Sequence, residues 1–71
     1  MAVEEIIFIA EEAPEGGFTA RALGESIFAE GDDLAELRTN ILDAVRCHFD
    51  KAANRPRFVR LHLVKDEILP V

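Results

Sequence analysis

Residues 27–45, IFAEGDDLAELRTNILDAV, decide the fold, because within them the apolar period changes from two to between three and four. Ile27–Glu30 reads as a short strand. Gly31–Asp32–Asp33 then breaks it and opens a helix. Asp32 is placed to cap the free N–H groups, and Asp33 and Glu36 suit the positive end of the helix dipole. Leu34, Leu37, Ile41, Ala44, Val45 and His48 follow at helical spacing on one face. Leu42 and Phe49 widen that face, and Lys51 falls in the last turn. Asn54–Arg55–Pro56 ends the pattern, since the residue before proline avoids the α region.

Upstream, Val3–Ala10 (VEEIIFIA) is rich in β-branched and aromatic side chains and predicts a first strand. Ile6, Phe8 and Ala10 share one face, and Ile7 and Ile9 share the other. A sheet with one solvated face would alternate apolar and polar residues. This strand is therefore covered twice, or its second face meets another chain. Glu11–Gly17 carries Pro14 and Gly16–Gly17 and reads as a turn, and Phe18–Leu23 as a second strand. Downstream, Phe58–Val64 (FVRLHLV) is a fourth strand with Val59, Leu61 and Leu63 on its apolar side. Ile68–Val71 is an apolar tail expected to dock or to be lent to a neighbour. The order is β-β-β-α-β in a single domain, 1–71. The predicted class is α+β, with two layers: an antiparallel sheet and one helix on one face. One helix covers one face, so the Ile7–Ile9 side, with Ile68 and Leu69, is expected to drive homo-oligomerisation.

Charge narrows the function classes. The chain of 71 residues carries 14 acids against eight Lys and Arg, a net charge of −6. Such a domain is a poor general binder of phosphate backbones. The charge is uneven. Residues 1–50 hold 12 acids and three bases, net −9, and residues 51–71 hold five bases and two acids, net +3. The bases are read first as partners of the chain's own acids. An alternative is a small nucleic-acid-binding module in which Lys51, Arg55, Arg57, Phe58 and Arg60 touch phosphates and stack a base.

Chemistry-bearing motifs are sparse. There is no phosphate-cradling glycine loop, HExxH, CxxC or EF-hand pattern, and no cofactor or metal is expected. Cys47 is the one cysteine, which excludes an intrachain disulfide and fits a cytoplasmic setting. It is expected as a buried, inert thiol. An enzyme using Cys47 or His62 is a third possibility, but a two-layer domain of this size has little room for a catalytic cleft, so the chain is expected not to be an enzyme. No apolar run is long enough to span a membrane.

The stretch Gly16–Val45 resembles the HicB-like family. The resemblance rests on Gly17–Phe18, Gly24, Gly31–Asp32, Glu36–Leu37, Asn40 and Ala44–Val45, and it extends over about residues 3–65. Leu23 stands where the family usually has a proline before its glycine. The family implies a β-β-β-α-β fold and partner binding rather than chemistry. HicB-type antitoxins cover the active surface of a small basic ribonuclease. On that resemblance Glu11, Glu12, Glu15, Glu25, Asp32, Asp33 and Glu36 form the expected toxin contact. Solitary HicB-like oligomers without a toxin are the alternative within the family. The separate DNA-binding module of many such antitoxins is not expected here. Asn40 has a physical reading of its own: an amide between Leu37 and Ile41 is placed to hydrogen-bond a neighbouring strand's backbone.

Overall fold

A computed structural model describes residues 4–71. It holds β1 (Glu5–Glu12), β2 (Phe18–Ala22), β3 (Phe28–Gly31), α1 (Leu34–His48), a short 3-10 turn (Ala52–Asn54) and β4 (Phe58–Val64). This is an α+β fold in the expected order. The sheet runs β3-β2-β1-β4, so β1 is an inner strand. Val3, expected in the first strand, lies outside the described residues.

The sheet departs from the expected all-antiparallel plan in one pairing. β1–β2 and β2–β3 are antiparallel, but β1–β4 is parallel, with Ile7 opposite Arg60 and Ile9 opposite His62. The helix is the cause. α1 carries the chain back across one face, so β4 starts at the same end of the sheet as β3 and runs in its direction. β3 is already parallel to β1, and β4 therefore is too. A crossover helix is the usual means of joining parallel strands.

The core lies between α1 and one face of the sheet. Ile6, Phe8 and Ala10 of β1, Ala20 and Ala22 of β2 and Ala29 of β3 meet Leu37, Ile41 and Val45 of α1, all buried, with Ile27 beside them. The run of alanines on β2 and β3 allows the helix to settle close. Gly31 marks the closest approach: a Cβ built there would lie 2.5 Å from the Leu37 backbone nitrogen. Gly17 takes φ +78°, and its Cβ would sit 2.8 Å from the Gly31 carbonyl oxygen. Only glycine meets both demands at that turn.

The helix departs from expectation at both ends. Asp33, not Asp32, is the N-cap, and its Oδ1 accepts the Glu36 N–H at 2.7 Å. A cap accepts the N–H two or three residues on, and Asp33–Glu36 has the longer spacing. At the other end Phe49 leaves helical dihedrals, so Lys51 lies past the last turn. Leu42 is exposed, because α1 sits over β3 and β2 and leaves a groove of about 260 Å³ between Ile41, Leu42, Val59 and Leu61. Val59 and Leu61 are half-buried, and Leu63 is exposed.

Candidate functional site

The fold gathers acids at one end of the sheet. Glu12 of β1 stands opposite Phe18 of β2, which stands opposite Gly31 of β3, where the chain turns into Asp32 and Asp33. Glu15, Glu30, Asp32 and Glu36, with Phe18 and Asn40, line a cleft of about 370 Å³ there. Glu11 and Glu30 flank Thr19 on the opposite sheet face at the same end. Six of the seven acids expected to contact a partner thus share one end. Among the described residues none of the six has a Lys or Arg within ion-pair distance. Glu25 is the exception: it lies on the β2–β3 turn, and its Oε2 is 3.2 Å from His48 Nε2.

Asn40 is the anchor of this end. Its side-chain amide donates to the Glu30 carbonyl oxygen at 2.7 Å. The helix is thereby tied to β3 beside the cleft, as its position between Leu37 and Ile41 suggested.

The basic segment is mostly consumed within the chain. Arg55 turns inward, with Nε donating to the Phe49 carbonyl at 2.7 Å and Nη2 to the Arg46 carbonyl at 3.5 Å. These carbonyls, at the end of α1, have no intrahelical donors. Arg60 forms a bidentate pair with Glu5 at 2.7 and 3.1 Å. That pair holds the Glu5 carboxyl below the ordinary glutamate value, against a smaller opposing push from desolvation. It also raises the Arg60 guanidinium. Arg57 lies 3.7 Å from Glu4 and stacks over Phe58, its guanidinium carbon 5.8 Å from the ring centroid. Lys51 is exposed and outside these pairs. The sequence showed these bases but not their destinations, because Glu4 and Glu5 are remote along the chain and meet them only through the β1–β4 pairing.

Among the described residues nothing covers the sheet face away from α1. Phe28, Arg21, Ile9 and His62 form one row across the four strands. Ile7 and Ile9 are half-buried there, and Phe28 is 63% exposed. The tail does not dock on this face in the same molecule: Ile68 is 93% and Leu69 73% exposed.

Cys47 is exposed, not buried as expected. It directly precedes His48, which is turned outward, and both stand off the stripe of Leu37, Ile41 and Val45. His62 lies on the open sheet face, far along the chain from Cys47 and on another layer. Among the described residues no three His, Cys, Asp or Glu side chains converge to hold a metal ion. Among them, too, no helix is long and apolar enough to cross a membrane.

Comparison with known proteins gives two close relatives, each called a UPF0150 protein. One, from Thermotoga maritima, is 44% identical over 68 residues, spanning 96% of this chain and 94% of the relative. The other, from Archaeoglobus fulgidus, is 46% identical over 55 residues, spanning 78% of this chain and 80% of the relative. No family model matches. No solved structure matches.

Proposed function

The chain belongs to the UPF0150 family, and we propose that it acts as a non-enzymatic protein-interaction domain whose acidic end receives a small basic protein. The mode would be that of a HicB-type antitoxin covering a basic ribonuclease, in a cytoplasmic setting. One observation carries this reading: among the described residues the acids of that end pair with no Lys or Arg, while the arginines of the basic segment are held by groups of the chain itself. Glu15, Asp32 and Glu36 share a cleft without a basic side chain in its lining. Arg55, Arg57 and Arg60 are occupied by the chain's own carbonyls and carboxylates. Like charges held together favour an oppositely charged partner, speed its approach and make its binding sensitive to salt.

The test is capture from the native lysate by the tagged protein after nuclease treatment, alongside the variant Glu15→Gln/Asp32→Asn/Glu36→Gln. The expected result is a small basic protein retained by the parent chain, released by high salt and lost with the variant, while circular dichroism shows the fold intact. Equal retention by the variant, or recovery of nucleic acid alone, would overturn the reading.

A further inference from the structure

Two surfaces with exposed apolar side chains are left without a cover among the described residues. One is the sheet face opposite α1, where Ile9 and Phe28 flank Arg21, with Ile7 on β1 and Val64 on β4 on the same face. The other is the segment Lys65–Val71, whose Ile68 and Leu69 are almost wholly exposed. We propose that each covers the other between two copies of this chain: residues 65–71 of one copy lie across the open sheet face of the second, and the exchange is mutual about a two-fold axis.

Shape supports an exchange over a return to the same face. β4 and the residues after it, Phe58 to Val71, would span roughly 45 Å if extended at about 3.3 Å per residue. The molecule measures 52 × 20 × 18 Å, so its long axis matches such a continuation of β4. Its radius of gyration, 13.6 Å, exceeds the roughly 11 Å expected of a compact chain this long. The segment therefore projects from the body as an arm. No glycine lies between Val64 and Ile68 to reverse it onto its own sheet.

Length fits the second copy, and Arg21, on the same face as Glu11 and Glu30, offers the arm's acids one exposed cation. Seven extended residues reach about 23 Å, and four strands place the outer two about 14 Å apart. One arm can cross the whole sheet. The receiving face has a depression of about 80 Å³ bounded by Ile9, Glu11, Thr19, Ala20, Arg21 and Phe28. Arg21 stands at its edge, exposed and without a carboxylate partner among the described residues. Asp66 and Glu67 directly precede Ile68. An Ile68 seated beside Ile9 brings a carboxylate within side-chain reach of Arg21. A two-fold exchange repeats that pair, which closes the assembly at two.

The proposal is independent of the basic partner, because it is tested on the purified chain alone. Sedimentation equilibrium from about 1 to 300 μM should show a dimer whose dissociation constant lies within or below that range. Ile68→Asp/Leu69→Asp should make it monomeric. The arm contributes no buried side chain, so this variant keeps its fold, with circular dichroism as the check. Arg21→Glu should weaken the dimer at least tenfold, and adding Asp66→Arg/Glu67→Arg to that variant should restore it. A parent chain that stays monomeric throughout overturns the proposal. So does a dimer indifferent to Ile68→Asp/Leu69→Asp, which would pair through the β4 edge instead. A dimer indifferent to Arg21→Glu overturns the seating of the arm on this face.

Discussion

The Asn40 side-chain amide reaches from the middle of α1 to the backbone carbonyl of Glu30 on β3, at 2.7 Å. A helix interior is a slightly unfavourable place for asparagine. Here its cost is offset by a bond that joins the two layers at the acidic end. Asn40→Ala should lower stability by about 1 kcal/mol, the usual net worth of one such bond. For a domain of this size that is a fall in Tm of roughly 4–8 °C, readable by calorimetry.

Gly31 tests how closely the layers approach. A Cβ there would stand 2.5 Å from the Leu37 nitrogen and 2.8 Å from its Cα. Both are backbone atoms, so neither can turn aside. Gly31→Ala should force α1 away from β3 and cost about 1–3 kcal/mol, as overpacking does. An unchanged denaturation midpoint would show that the helix shifts freely.

The Glu5–Arg60 pair sets an acid-side dependence. The Glu5 carboxyl is held below its ordinary value by Arg60. Its contribution is therefore present above the unfolded value of about 4.3 and lost as pH falls through the lower folded value. Arg60→Ala should flatten the fall of stability in the acid range and leave the shape of the curve above about pH 6 as it was. Urea midpoints measured across pH 2–7 would show it. The pair is solvent-exposed, so added salt should reduce the difference.

Arg55 is predicted to act as a helix cap and not as a phosphate ligand. Arg55→Ala removes the donors to the Phe49 and Arg46 carbonyls. The expected cost is about 1–2 kcal/mol. Arg55→Lys should restore little of it, because an ammonium lacks the planar fork. A variant of unchanged stability that loses nucleic-acid retention would reverse this assignment.

Short-range pattern was enough for much of the fold. Ile6, Phe8 and Ala10 alternate on β1, and Leu37, Ile41 and Val45 recur at helical spacing, so each element declares its own buried face. The role of Asn40 was legible for the same reason: an amide within an apolar stripe needs a partner from the layer beneath. The helix ends were less legible. Asp32 and Asp33 are chemically alike, and only the backbone turn at Gly31 decides which of them stands three residues before a free N–H.

The acidic site was legible as composition and not as a place. Glu12, Glu15, Glu30 and Glu36 are spread along the chain, and two hairpins and a helix start bring them to one end. Glu25 has the same chemistry but falls on the opposite turn, beside His48. The exposure of Cys47 was likewise hidden, since it depends on how far α1 rotates toward β3.

Chain identity and period settled the elements, their order and the faces they bury, because those depend on neighbours within a few residues. The direction of β4, the partners of Arg55 and Arg60, and the open face of Ile7 and Ile9 were decided only in three dimensions. All three follow from where α1 lands. It returns the chain to the end of the sheet where β3 began, makes β4 parallel to β1, and covers one face of the sheet while leaving the other bare.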